Sequence, residues 1–352
     1  MPQIISWDTL DWAALDRLRE VFLHGTPPVD SYWRSATDLA NYDFTFAQRI
    51  GWKWDAVLDE LRRRGWAPPP LRPLVDWGCG SGTASRRVLD FFGPPHFRCL
   101  RVYDRSSLAM TFASELARGT FPSLPVEAAD PAWLASREPV GVLIISHVLN
   151  ELNEAGKQAL GQMLDRADAV LWVEPGTSVD SRALIAVRER LRANFLVIAP
   201  CTHQCACGLL APENVRHWCH HFAKPPPGIM ADSNWVRFAQ RAGIDLRSLP
   251  YSFLVLERKG LREAVPGTQA DGGSRFLGVP RIYKGFAKVL SCQAENVCEL
   301  ELQKRSAPEL FKAFQQGTAS SLWRWTLHGD RIEKAEPLFG TEGEHRTGKH
   351  SG

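Results

Sequence analysis

Apolar residues recur at three- and four-residue steps through the first part of the chain, then change near residue 73 to short continuous runs separated by helical segments. Between Ser35 and Trp66 the positions Leu39, Tyr42, Phe46, Ile50, Trp54, Val57 and Leu61 mark one helical face turned toward a core. Arg62-Arg63-Arg64 puts positive charge in the last turn of a helix ending at Gly65, where it suits the helix dipole without any partner. Pro68-Pro69-Pro70 closes this helical N-terminal region, predicted over residues 1–70.

The second pattern predicts a parallel α/β sheet over residues 71–258. Its strands are the runs around Leu74–Asp76, Cys99–Asp104 and Leu124–Asp130, then Val140–Ser146, Ala169–Val173, Asn194–Ala199 and Ser252–Glu257. A cysteine-rich insertion, 201–222, separates the last two. Beyond it, Gly267 to Gly278 reads as a mobile loop. Arg281–Ser291, Val297–Gln303 and Leu322–His328 read as strands of a small β-rich extension over 259–338, and residues 339–352 as a disordered tail. No internal repeat is visible.

With 352 residues, 44% of them hydrophobic, the chain has room for one large or two ordinary domains. No apolar run reaches the roughly 18–20 residues a membrane span needs. Asp8, Asp11 and Asp16 near the start argue against a signal or transit peptide, so the expected location is cytoplasmic, with no membrane partner. The net charge of +3 permits a nucleic-acid partner without demanding one. Arg258, Lys259, Arg262, Arg281, Lys284, Lys288, Lys304, Arg305 and Lys312 suit either an ordinary solvated surface or an RNA-facing patch. The chain is expected to be a monomer.

Chemistry concentrates first in Leu74-Val75-Asp76-Trp77-Gly78-Cys79-Gly80-Ser81-Gly82-Thr83. A buried strand stops at an acid, glycines allow a tight turn, and a helix starting near Thr83 aims its free amides into the turn. That is the signature of a nucleotide-cofactor site, shared by dinucleotide folds and by methyltransferases that use S-adenosylmethionine. The acid two positions before the first glycine favours the latter. Asp104, ending the second strand, is placed to bind the two hydroxyls of a ribose. The candidate cofactor residues are therefore Asp76, Gly78, Gly80, Gly82, Thr83 and Asp104, with Asp130 as a third acid. His147, Asn150, Glu151 and Glu174, at the ends of the fourth and fifth strands, are the candidates facing the reacting group; each also suits a helix cap or a brace. No Asn-Pro-Pro-Tyr motif names an amino-group acceptor, and Pro200-Cys201 lies after the sixth strand rather than the fourth.

Cysteine is the second signal. Cys201, Cys205, Cys207 and Cys219 crowd one segment of a chain expected to be cytoplasmic, where disulfides are rare, so a metal or redox role is expected. Close Cys-x-x-Cys pairs are absent, and the wider spacing suits an iron-sulfur cluster. Nearby His203, His217, His220 and His221 keep zinc open. Cys79, Cys99 and Cys298 read as small buried fillers.

Six segments together resemble one family: Asn41-Tyr42-Asp43-Phe44, Asp76 through Gly82, His147-Val148-Leu149-Asn150-Glu151-Leu152, Val173-Glu174-Pro175-Gly176-Thr177, Ala199-Pro200-Cys201-Thr202-His203 and Trp218-Cys219-His220. The set is similar to the small-ribosomal-subunit methyltransferase-like family, which includes the mitochondrial small-subunit assembly factor and bacterial relatives. This resemblance implies a class I S-adenosylmethionine-dependent methyltransferase core, a Rossmann-like seven-stranded sheet whose last strand runs against the rest. It also implies S-adenosylmethionine as cofactor, with Asp76 near its methionine part and Asp130 near its adenine amino group. Small-subunit ribosomal RNA is the implied partner, and a 4Fe-4S cluster the implied inorganic centre, with Cys201, Cys207, Cys219 and Cys292 as ligands. Thr202 stands where the family usually has proline, His220-His221 is doubled, and Cys205 has no counterpart. Three functions remain: an rRNA methyltransferase, a catalytically silent ribosome-assembly factor, and a zinc-bearing methyltransferase of proteins or small molecules.

Overall fold

A computed structural model describes residues 5–24, 32–263 and 272–339 of the chain. Three helices open it, α1 (Trp12–His24), α2 (Ala36–Phe44) and α3 (Phe46–Arg63). The single periodic face expected from Ser35 to Trp66 is broken at Thr45, whose hydroxyl donates to the Asn41 carbonyl at 2.6 Å and diverts that carbonyl from the helical ladder. Ser35 caps α2 by accepting from Asp38 N at 3.1 Å.

Strands and helices then alternate: β1 (Arg72–Trp77), α4 (Thr83–Phe92), β2 (Phe97–Tyr103), α5 (Ser107–Thr120), β3 (Val126–Ala128), α6 (Pro131–Ala135), β4 (Gly141–Ser146), α7 (Glu154–Arg166), β5 (Ala167–Pro175), α8 (Ser178–Leu191) and β6 (Phe195–Ala199). After the cysteine segment come β7 (His221–Ala223), α9 (Ser233–Ala242) and β8 (Leu249–Arg258). The strand order is β3-β2-β1-β4-β5-β8-β6, parallel except for β8, which runs antiparallel between β5 and β6. This is the class I methyltransferase sheet. It carries one strand more than expected, because β7 inside the cysteine insertion pairs with Leu249–Tyr251 of β8.

β1, β4 and β5 are buried almost end to end, as strands covered on both faces must be. On one face they meet the N-terminal helices with α4, α5 and α9, through Leu39, Trp54, Leu74 and Phe238. On the other face Val75, Leu143 and Trp172 pack under α6, α7 and α8. Each fully buried side chain of this size contributes about 1.5–3 kcal/mol.

The C-terminal part is a closed five-stranded barrel. Its elements are β9 (Ser274–Ile282), β10 (Phe286–Cys292), β11 (Val297–Gln303), α10 (Pro308–Gln316), β12 (Leu322–His328) and β13 (Arg331–Pro337), closing in the order β10-β11-β13-β12-β9. Ser274–Gly278, read from sequence as part of a mobile loop, is strand instead; Phe276 and Leu277 are buried and pair with β10. The remainder of that predicted loop up to Asp271 lies outside the described residues, as does the tail from Gly340. The single strand expected from Arg281 to Ser291 is a hairpin, turning at Tyr283–Gly285 where Tyr283 N donates to Phe286 O at 2.9 Å.

Barrel and sheet are joined by buried charge. Arg275 of β9 pairs with Glu60 of α3, and its Nε donates to the Pro200 carbonyl at 2.8 Å. Arg64 pairs with the same Glu60 at 2.8 Å and donates to the carbonyls of Ile198 and Pro200 at 2.7 and 3.0 Å. The arginine run, which from sequence suits the helix dipole without any partner, thus ends in a residue that ties α3 to the end of β6. Although burial opposes it, Arg275 and Arg64 hold the Glu60 carboxyl down to about 2. Among the described residues no helix is long and apolar enough to cross a membrane.

Candidate functional site

Past β1 the chain turns through Gly78–Gly82 into α4. The amides of Gly78 and Cys79 both donate to the Tyr103 carbonyl, at 2.8 and 2.9 Å, which ties the turn to the end of β2. Gly78 has φ +77, and a Cβ there would lie 2.5 Å from Val148 Cγ1, so no other residue fits. Gly80, at φ +50, has no atom within 4 Å of where a Cβ would stand and leaves its backbone open to the cavity above. Its amide donates to Asp104 Oδ2 at 3.0 Å, while Ser106 N donates to Oδ1 at 2.9 Å. Asp104 is therefore fixed from two sides with lone pairs left for a pair of hydroxyls. Burial raises its pKa above the ordinary carboxylate value.

Above the turn lies a cavity of about 540 Å³, at the carboxyl ends of β1, β2 and β4. Gly78, Gly80, Thr83, Asp104, His147, Asn150 and Glu151, all singled out in the sequence, line it. Asp76, Gly82 and Glu174 do not; they stand behind its wall. Asp76 is fully buried, accepts from Ser85 Oγ at 2.6 Å and is raised to about 6 by burial, with its Oδ1 left unpartnered. Glu174 accepts from Trp172 Nε1 at 2.7 Å and from the amides of Val148 and Leu149 at 3.2 Å, bracing the loop after β4. Burial pushes it up to about 8. Asp130 caps α6, accepting from Trp133 N at 2.7 Å, and its exposed carboxylate is not part of the cavity wall.

The N-terminal region supplies side chains that the sequence pattern does not assign to the site, Tyr42 among them reading as core. Tyr32, Tyr42 and Lys53 reach the cavity from above. Lys53 Nζ lies 3.1 Å from His147 Nε2. Burial, helped by nearby Arg49, brings Lys53 down to about 7, and burial with Lys53 pushes His147 well below the usual histidine range. His147 has φ +57, a left-handed conformation uncommon for a side chain of this kind. Glu151, raised by burial to about 7, faces Tyr32 Oη at 3.5 Å and Arg105 at 3.8 Å. The cavity can thus seat a ribose on Asp104, and it holds an amine brought near neutrality beside an imidazole that stays neutral there. Lys53 sits between Trp52 and Trp54 in the sequence, and a lone cation amid buried aromatics was the available signal.

A second constellation lies where barrel meets sheet. Cys207, Cys219 and Cys292 pack on the buried Ile185, Leu209, Leu277 and Val297. Cys201 joins them: its charge, with those of Cys207 and Cys292, adds to burial in raising Cys219 well above the usual thiol value. Cys207 is pushed up to about 11 by burial and then by Cys201, and Cys292 is raised for the same reasons. Arg188 Nε donates to Cys201 Sγ at 3.2 Å. Cys205 is exposed and stands apart. His203 and His221 approach Cys292 and Cys219 at 3.7 and 3.6 Å. Among the described residues, no three His, Cys, Asp or Glu side chains converge closely enough to hold a single metal ion.

The family described as mitochondrial small ribosomal subunit Rsm22 matches residues 46–324. The chain belongs to this family. The Rsm22 match spans the glycine turn, all four gathered cysteines and most of the barrel. No curated protein matches the chain. Among solved structures it is similar to magnesium protoporphyrin IX methyltransferase from Synechocystis PCC 6803 with bound SAM, at 13% identity and TM-score 0.37, over 74% of this chain and 100% of that one. It is also similar to an rRNA methylase from Streptococcus thermophilus, at 12% identity and TM-score 0.34, over 58% of this chain and 94% of that one.

Proposed function

We propose that this Rsm22-family chain binds S-adenosylmethionine in the cavity above the glycine turn and acts on the small ribosomal subunit through its RNA. The observation that carries the reading is Asp104, held by two amides at the edge of an open glycine cradle inside a cavity of about 540 Å³. Asp104 would take the ribose hydroxyls and the open backbone at Gly80 the adjoining part of the cofactor, with Tyr32 and Tyr42 closing the cavity from above. When bound, the cofactor supplies an electrophilic methyl group. Lys53 and His147 are then the side chains placed to hold or accept the proton an acceptor loses.

We also propose a 4Fe-4S cluster on Cys201, Cys207, Cys219 and Cys292. The support is a gathering of partly buried thiols, three from the insertion and one from the end of β10, with the Arg188 guanidinium donating to Cys201. A cluster has corners further apart than the ligands of one ion, which suits this looser arrangement better than zinc does.

A second reading is a catalytically silent assembly factor. Glu174, a candidate for chemistry in the sequence, is consumed as a loop brace, which favours that reading. Small-subunit particles incubated with the protein and methyl-labelled cofactor separate the two. Methyl transfer to rRNA, lost on Asp104→Asn and on Lys53→Met, supports the enzyme. Particle binding that survives both changes, without transfer, supports the silent factor, and absence of particle binding overturns both. Cys219→Ser should abolish the iron and sulfide content of anaerobically purified protein; unchanged iron would remove the cluster assignment.

A further inference from the structure

The nine basic residues of the C-terminal part do not form one surface. Arg258, Lys259 and Arg262 are engaged at the end of β8: Arg258 Nε donates to the Ala167 carbonyl at 2.8 Å, Lys259 to Ala193 O at 3.0 Å, and Arg262 pairs with Glu257 at 2.5 Å. The others belong to the barrel, and most converge on one of its ends.

That end is the β9–β10 hairpin, where Arg281 through Gly285 are all exposed. Tyr283 stacks on Phe286 with ring centroids 4.5 Å apart and planes 12° from parallel, while Tyr283 remains 43% exposed. A large flat aromatic face held rigid and left in water has no folding benefit on that side. Beside it lies a shallow, open stretch of surface lined by Gly285, Gln303, Lys304, Arg305 and Pro308. The two features share a wall, since Phe286 pairs with Gln303 across the ladder and Lys304 N donates to Gly285 O at 3.0 Å.

Charge at this end is one-sided. Arg281 and Lys288 are directly opposite on β9 and β10, and both pair with the single Glu299. Lys284, Lys304 and Arg305 form no ion pair among the described residues, and Lys304 lies 5.9 Å over the Phe311 ring. The barrel itself has the oligonucleotide/oligosaccharide-binding topology. Its first strand, β9, pairs with the second and fourth, its third and fifth run parallel, and a helix sits between third and fourth. The loop joining the first two strands, here Tyr283–Gly285, is one of the segments by which such barrels hold oligomers. Topology alone would not choose the ligand. Unpaired cations beside a free aromatic face do: they match the phosphates and the unstacked base of a single strand.

We propose that the β9–β10 end of the barrel binds single-stranded RNA, one base stacking on Tyr283 and the neighbouring phosphates seated by Lys284, Lys304 and Arg305. This deepens the small-subunit reading and rests on it for the identity of the RNA. The test is fluorescence anisotropy of the full chain with a labelled oligouridylate and with a labelled RNA duplex, beside cosedimentation with small-subunit particles. The single strand should bind more tightly than the duplex. Tyr283→Ala should weaken it by about tenfold or more. Lys304→Glu with Arg305→Glu should weaken it further and flatten the salt dependence by about one to two charges. All these positions are exposed, so unchanged thermal unfolding checks the fold of each variant. Wild-type affinity in Tyr283→Ala, or equal affinity for duplex, overturns the proposal. If wild type ignores the oligomer yet still cosediments with particles, this site falls and the small-subunit reading stands. If it binds neither, both fall.

Discussion

The cofactor turn and the barrel junction solve opposite problems. At the cofactor turn, position is set by backbone: Gly78, Cys79, Gly80 and Ser106 spend their amides on Tyr103 and Asp104, and one cavity is left open. At the barrel junction, position is set by long charged side chains, with Glu60 shared between Arg64 and Arg275 and no solvent to moderate the loss of any one. A backbone-built site tolerates change in its polar side chains at the cost of ligand affinity alone. A junction built from buried ions does not, because removing the shared Glu60 leaves two buried guanidiniums without their carboxylate, and removing either arginine takes away a charged hydrogen-bond donor. The cysteines lie at this second place, yet the arginines already fasten barrel to sheet, so a cluster there would reinforce a joint that exists without it.

The sharpest way to break the contrast is at the junction. Arg275→Ala leaves Glu60 and the Pro200 carbonyl to Arg64 alone and removes the barrel's own tie to both, and should cost about 3 kcal/mol in chemical denaturation. A loss below about 1 kcal/mol would mean that the barrel is fastened by other contacts. Asp104→Asn should do the reverse, weakening S-adenosylhomocysteine by about 1.5–3 kcal/mol in calorimetry while unfolding stays near wild type. Comparable losses of stability and of affinity in this variant would erase the distinction between the two sites.

A subtler probe is pH. Glu60 falls from an ordinary value of 4.5 to about 2 in the folded chain, so the unfolded state binds its proton first as the medium is acidified. The stability it contributes is complete above about pH 4.5 and is lost as pH falls toward about 2. Glu60→Gln should lower stability at neutral pH and remove that part of the acid slope. A variant with the wild-type acid profile would show that other carboxylates govern it.

What the sequence made legible follows the same division. Buried parallel strands write themselves as apolar runs, and an acid-glycine turn needs particular residues at particular places, so β1, β2, β4 and the Asp104 edge could be read directly. Asp130 could not be placed: an acid after a short third strand serves equally as a helix cap, and here it is one. Arg64 read as a helix-end charge and Arg275 as part of a mobile loop, because nothing local distinguishes a buried guanidinium from a solvated one; the carbonyls and elements that enclose them lie in other parts of the chain. Lys53 was hidden in a stripe of aromatic core residues for the same reason. The barrel was half visible. β12 and β11 alternate cleanly, whereas β9 emerges from a glycine-rich stretch, and β13 follows a two-residue turn at Gly329-Asp330 in a polar segment that buries only Ile332. Closure depends on β9 meeting β12, a pairing no local pattern announces.

Calorimetric titration of S-adenosylhomocysteine into the wild-type protein tests the central claim most directly. One saturable site per chain, abolished or severely weakened by Asp104→Asn, is the predicted result. No saturable heat at millimolar ligand, from protein that unfolds cooperatively, would contradict it.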